Sequence, residues 1–282
     1  MLMVVIKIVV TSVMVLGLAW LSERAGPKTA GVLAGFPLGI GVSLFFIGVE
    51  QGSAFAAVAS TSTIGGLGAA LIFCFAYWQI SKFLGGSLVH WFSYWKVRGS
   101  PVLWSAFLTS LGSFVVFVIA AGILAVLPQE RWLLTVITLV ITGLAIVVFR
   151  RIDDVEADAT QAVAVTPLTL LIRAAIASAI VLVITGLADA VGEAWSGLLS
   201  GFPITLYPVL LIVHVTYSER QVHGIIKNFP FGIGSLLIFA LAGSYVFESM
   251  GMYWGTAVAI LLAGLYLSAV AFIMLRRRPS GS

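Results

Sequence analysis

Residues 7–85 recur at 173–251 without a gap, at a constant offset of 166 positions. The coincidences are not only apolar. Gly35-Phe36-Pro37 returns as Gly201-Phe202-Pro203, and Leu71-Ile72-Phe73 returns as Leu237-Ile238-Phe239. Ser12 matches Ser178, Gly26 matches Gly192, Gly31 matches Gly197, Gly66 and Gly68 match Gly232 and Gly234, and Gly85 matches Gly251. Two rare charges are paired as well, Lys7 with Arg173 and Glu23 with Asp189. A chain that writes one pattern twice is expected to fold as two similar units. In a membrane, two copies of one unit are the common plan of a secondary transporter.

Membrane residence follows from composition. The chain is 61% hydrophobic and 9% charged, with a mean hydropathy of +1.14, whereas a soluble domain carries about 25% charged residues. Apolar runs of about 20 residues recur, each long enough to cross a hydrocarbon core of about 30 Å. The net charge of +4 is not a nucleic-acid signal. Its basic residues fall in short segments between apolar runs, where they orient a chain in the bilayer. The one cysteine, Cys74, lies in an apolar run, so no intrachain disulfide can form and a buried packing thiol is expected. The first run, Met1 to Trp20, lacks the basic start and small-residue cleavage site of a signal peptide. Its copy at 167–187 is internal, so a retained helix is expected.

The pattern predicts an all-α, polytopic protein of about nine transmembrane helices, at 3–22, 29–49, 54–80, 103–127, 132–149, 167–187, 195–215, 223–247 and 253–275. With the N-terminus outside, the cytoplasmic segments hold Arg24, Lys28, Lys82, Lys96, Arg98, Arg150, Arg151, Arg220, Lys227 and Arg276 to Arg278. The outer segments hold Arg131 as their one clear basic residue, beside Glu50, Glu130, Asp189, Glu193 and Glu248. The positive-inside rule then puts the C-terminus in the cytoplasm of a multi-pass protein of the cell (inner) membrane. On this topology the first helix and its copy run in opposite directions. The plan is a 4+1+4 inverted repeat. Residues 1–130 form the first four-helix unit, 131–150 a connecting transmembrane helix, 151–166 an acidic cytoplasmic linker and 167–282 the inverted second unit. The insert 83–100, with Trp91, Trp95, Lys96 and Arg98, has no counterpart in the second half. It is expected to be an interfacial amphipathic stretch, with a short tenth span as the other reading.

Each half resembles the GlpM family of small four-helix membrane proteins. The residues that carry the resemblance are a basic residue early in the first helix (Lys7, Arg173) and two small-residue entries to the second. These entries are Gly31-Val32-Leu33-Ala34-Gly35-Phe36-Pro37 and Gly197-Leu198-Leu199-Ser200-Gly201-Phe202-Pro203. A glycine-spaced third helix running into Leu-Ile-Phe completes the set. The resemblance covers most of both halves through short, apolar motifs. It implies that a single four-helix member pairs in antiparallel fashion to make what this chain encodes in one polypeptide. Family members are linked by name to glycerol metabolism and alginate production, and the resemblance implies no activity or substrate.

Three groups of residues are candidates for function. Pro37 and Pro203 fall near the middle of their predicted spans, and proline removes a backbone donor and clashes one turn back, so both helices should break there. Broken helices in corresponding positions of two halves point to a transporter's binding site. Gly35, Phe36, Pro37, Gly201, Phe202 and Pro203 are therefore expected substrate-binding residues; a packing kink on a small-residue stripe is the alternative. Ser62, within Ser60-Thr61-Ser62-Thr63, and its counterpart Asn228 are expected to add polar contacts, unless such hydroxyls merely bond back to their own helix. Inversion brings Lys7 level with Asp189 and Glu23 level with Arg173, two pairs that could gate opposite faces, or else anchor at the interfaces. His214 could carry a proton or serve as a packing residue.

No catalytic, metal-binding or cofactor motif is present in the sequence, so an enzyme is not expected. The partners expected are the lipid bilayer and a small-molecule solute, without nucleic acid, for a monomer or homodimer. The function expected is secondary transport of a small anionic or neutral polar solute by alternating access. The competing reading is a non-transporting subunit or scaffold for envelope, polysaccharide or lipid processing.

Overall fold

The apolar runs become helices and little else. The computed structural model describes residues 1–25, 35–95, 101–152 and 166–276, with side chains for 1–18, 35–85, 101–152 and 166–270. Its regular elements are α1 (Leu2–Ala25), α2 (Leu38–Gln51), α3 (Ser53–Trp95), α4 (Pro101–Ala125), α5 (Arg131–Phe149), α6 (Pro167–Ser200), α7 (Tyr207–Thr216) and α8 (Glu219–Arg276). Five of them are long and apolar enough to cross a membrane: α3 over Ser53–Gly85, α4, α5, α6, and α8 over Glu219–Val270. Their outer faces expose large apolar side chains, among them Phe107 and Ile123 on α4 and Val136, Leu139 and Leu144 on α5. Such faces would aggregate in water and are at home against acyl chains. The pattern is that of an all-α, multi-pass membrane protein.

Two glycines fold long helices back on themselves. Gly192 (φ 77°, ψ 177°) interrupts α6, and Gly251 (φ 72°, ψ 172°) interrupts α8. Positive φ is cheap only for a residue without Cβ. Ser196 Oγ donates to the carbonyls of Gly192 and Ala188, at 2.7 and 3.3 Å. In a straight helix residues eight apart stand about 12 Å apart, so the chain reverses at Gly192. A Cβ on Gly255 would lie 3.0 Å from Phe247 and 3.1 Å from the Val246 oxygen, the mark of a second reversal at Gly251. Single glycines thus replace the short loops expected between helical runs. Gly85, the copy of Gly251, instead stays helical, and α3 continues to Trp95, past its predicted end at residue 80. The insert 83–100 therefore begins as an extension of the third helix, 43 residues in all and so about 65 Å long. Residues 96–100 and the linker residues 153–165 lie outside the described residues.

The centre of the bundle is α3, buried on every face from residue 59 to 71. Hydrophobic sorting does not drive helices together in lipid, so small residues and hydroxyl bonds must. Ser60 Oγ donates to the Ala240 carbonyl of α8 at 2.8 Å, and Thr63 Oγ1 to Gly197 of α6 at 3.0 Å. From α5, Thr138 Oγ1 donates to the Ile64 carbonyl at 2.7 Å. Such bonds are worth about 0.6 kcal/mol each on average in a membrane. Four glycines complete the packing in a reciprocal way. Gly35 lies against Gly232, and Gly201 lies against Gly66; the repeat offset carries the first pair into the second. Equivalent residues also meet one another, Ser12 with Ser178 at 3.4 Å and Gly39 with Thr205. Lys7 reaches Thr185, so partner numbers rise along α6 as they fall along α1, and the two copies of the first helix pack antiparallel.

Candidate functional site

Both prolines stand in non-helical turns that lead into a helix. In the first half, Gly35 to Pro37 are non-helical and Pro37 (φ −78°, ψ 37°) immediately precedes α2. Leu38 N–H donates to Phe36 at 2.8 Å and Gly41 N–H to Pro37 at 2.9 Å, while Gly39 and Ile40 have no intrahelical acceptor for their amides. In the second half the chain turns from 201 to 206, and the Pro203 carbonyl accepts from Leu206 and Tyr207 at 3.1 and 2.8 Å. The helices that follow are short. At 14 and 10 residues, α2 and α7 span about 21 and 15 Å, less than a hydrocarbon core. Residues 26–34, the expected first part of the second helix, lie outside the described residues.

The two breaks meet directly, Gly39 against Ile204 and Thr205, beside α1. Between them lies a cavity of about 10 Å³, whose lining includes Thr11 and Met14 of α1, Leu38 and Gly39, and Ile204 and Thr205. That is room for about one water molecule. Thr11 is 2% exposed and its hydroxyl has no partner; the buried hydroxyl of Ser43 on α2 has none either. The phenylalanines of the two motifs are placed differently. Phe202 sits among Phe73, Phe114, Phe117 and Tyr207, with ring centroids 5.1 to 5.9 Å away. Phe36 is half-buried against Gly264.

Of the residues predicted from sequence, the six of the two motifs lie at the breaks. Ser62 is buried without a hydrogen-bond partner and packs on Gly197, just before the second break. Asn228 is not brought there: it is exposed, and its amide donates to Gly224 of its own helix at 3.0 Å. Thr61 and Thr63 do bond back to their own helix, at Ala57 and Ala59, although Thr63 also crosses to α6. The expected pair Lys7–Asp189 is absent in this structure. Lys7 Nζ donates instead to Glu50 Oε2 at 2.7 Å and Thr185 Oγ1 at 2.8 Å, and Asp189 is exposed. Equal depth on neighbouring helices did not fix the partner, because Glu50 at the end of α2 stands closer. Arg173 is half-buried on α6, and the side chain of Glu23 lies outside the described residues.

A polar cluster missed by sequence reasoning occupies the other end of the bundle. Tyr77 of α3 meets His214 Nδ1 at 3.0 Å, and Ser105 of α4 meets His214 Nε2 at 3.4 Å. One turn on, Ser81 meets His223 Nε2 at 2.8 Å. Tyr77 and His214 lie 137 positions apart, and their relation depends on tertiary packing alone. Removing the hydroxyl with Tyr77→Phe strands a buried ring nitrogen, which should cost about 1–3 kcal/mol. Denaturation in detergent should show that loss, while Tyr245→Phe, at an exposed ring, should leave stability within about 0.5 kcal/mol.

The cavity surface itself is apolar, and the unpartnered hydroxyls of Thr11 and Ser43 are buried rather than open to it. Among the described residues no three His, Cys, Asp or Glu side chains gather as metal ligands would. No family model, curated protein or solved structure matches this chain.

Proposed function

We propose that the chain is a secondary transporter of a small anionic or neutral polar solute, working by alternating access between two inverted, GlpM-like four-helix halves. The observation that carries the reading is the reciprocity of the contacts around the breaks. Gly35 on Gly232 and Gly201 on Gly66 are one contact repeated, and each joins the Gly-Phe-Pro turn of one half to the third helix of the other. Antiparallel packing of α1 against α6 and the reversals at Gly192 and Gly251 support nine traverses with the second unit inverted. Short helices that begin at the breaks, with first-turn amides that lack an intrahelical acceptor near the buried, unpartnered Thr11 and Ser43 hydroxyls, would supply donors for a polar or anionic solute once the site opens. The solute site is taken to be the Gly35-Phe36-Pro37 and Gly201-Phe202-Pro203 breaks, seen here closed.

One observation favours the competing reading. The breaks are glycine-packed around a cavity of only about 10 Å³, as a non-transporting scaffold would have them. A solute screen separates the two: uptake or efflux by cells with and without the protein, repeated in liposomes. A solute whose movement depends on the protein supports transport, and its absence across anions, polyols and sugars supports the scaffold.

Orientation is checked separately. Single cysteines at Glu130 and Glu193 should react with an impermeant thiol reagent from outside whole cells, and those at Arg151 and Arg220 only after the membrane is opened. Labelling of Glu130 and Arg151 from the same side would remove the fifth span and, with it, the inversion.

A further inference from the structure

Lys7 is the most deeply buried charge among the described side chains, 5% exposed on the second turn of α1. A charge at such a place is costly unless it is paired. Two of its three donors are spent, on Glu50 and on Thr185, and its ammonium lies 5.9 Å from the Phe46 ring centroid. The three contacts draw α1, α2 and α6 together. Glu50 is bound less securely than Lys7. Its side chain is 26% exposed, against 6% for that of Lys7, and it ends a helix whose C-terminal dipole repels a carboxylate. Gly52, with φ 99°, follows two residues later as the turn into α3. Nothing in the second half repeats the arrangement, since position 216, the copy of Glu50, is Thr216.

The cavity begins one turn below. Thr11 lies four residues from Lys7, on the same face of α1; its side chain is among those that line the cavity, whose surface is apolar in this closed form, and its buried hydroxyl has no partner. We infer that Lys7 is the anion-binding residue of the site, and that Glu50 is a resident carboxylate which occupies it until a solute anion displaces it. The inference rests on the transport reading of the breaks and narrows it to an anionic solute. Glu50 then swings toward water, α2 loosens from α1, and the anion passes from Lys7 to the hydroxyl of Thr11 and the amides of Gly39 and Ile40. No bond is made or broken in the step. One carboxylate-type partner replaces another, so Lys7 keeps a counter-charge throughout.

The test needs no identified solute. Thr11→Cys is placed in a chain whose native cysteine is replaced by Cys74→Ala. The purified protein in liposomes is treated with two thiosulfonates of similar size, the anionic sulfonatoethyl and the cationic trimethylammonioethyl reagents. With Glu50 in place Thr11→Cys should react slowly with both. Adding Glu50→Gln should raise the rate for the anionic reagent at least tenfold and leave the cationic one behind. Adding Lys7→Gln to that variant should abolish the preference. Sodium acetate should slow the anionic reagent on the Glu50→Gln protein, and at equal ionic strength should not slow it once Lys7→Gln is added. Should Glu50→Gln fail to fold, Glu50→Asp, whose shorter arm reaches Lys7 poorly, should show the same preference at a smaller rate. Equal rates for the two reagents, or a cysteine that stays unreactive in both variants, would overturn the inference. Labelling is scored without transport, so a failed solute screen with charge-selective labelling would reject transport and leave the Lys7 site standing.

Discussion

Alanine at Gly201 should destabilise the folded protein by about 1–3 kcal/mol, the cost of overpacking a filled interior. A Cβ there would lie 2.5 Å from the Cα of Gly66, and one at Gly35 would lie 2.6 Å from the Cα of Gly232. Backbone sits on the far side of each contact, so no side chain can turn aside. The helices themselves must separate, and the pairing of the two halves is strained at both ends of its reciprocal contact. Gly35→Ala should therefore behave like Gly201→Ala, and Gly66→Ala and Gly232→Ala should fall in the same range. Gly143, with nothing within 4 Å of its Cβ position, is the opposite case. Alanine there adds helix propensity without a clash and should be neutral or stabilising by up to about 1 kcal/mol. Melting in a mild detergent, with all five variants in parallel, checks the signs. Stability unchanged by Gly35→Ala and Gly201→Ala would mean that the two halves do not pack through these glycines.

The same contacts show how far the sequence could be read. The equal offset of Gly35 with Gly201 and of Gly66 with Gly232 announced two units, and the two Gly-Phe-Pro motifs announced breaks, because proline acts on its own backbone whatever surrounds it. Local chemistry of that kind is legible. The reversals at Gly192 and Gly251 fall within the boundaries expected at 188–194 and 248–252, but that a single glycine would make each turn was not legible, since Gly85 shows that its copy can remain helical. The overrun of α3 to Trp95 escaped for a similar reason: no proline or polar loop stops it at residue 80. Partners across the bundle were the least legible. Lys7 was assigned by depth to Asp189, yet depth leaves several helices to choose from, and the nearest acid came from the end of α2. Asn228 shares an offset with Ser62 but faces outward, so a repeat in sequence does not guarantee the same surroundings in the fold. The cluster of Tyr77, Ser105 and His214 draws on α3, α4 and α7, which no sequence pattern links.

On the proposed transport reading, replacing Pro37 or Pro203 by alanine should reduce transport by about tenfold or more, the effect of raising one barrier by about 1.4 kcal/mol. Both prolines precede or occupy non-helical turns, so neither strains a helix from inside, and their removal gains none of the roughly 3 kcal/mol that an interior proline costs. What changes is the unfolded chain, which becomes more flexible, and stability should fall by about 0.4–1 kcal/mol. The new amide also changes the turn. At position 203 it can reach back to the carbonyl of residue 199 and carry α6 forward by a turn. Phe202 would then leave the rings of Phe73, Phe117 and Tyr207, and the turn amides on which the proposed site depends would be spent within the helix. Position 37 is subject to the same argument through its own turn, and the reciprocity of the halves makes the demand stricter: each substitution alone should impair movement of the solute. Uptake in liposomes, read beside melting of the same preparations, decides the matter. Variants that keep full uptake per folded molecule would assign the breaks to packing and place the solute path elsewhere in the bundle.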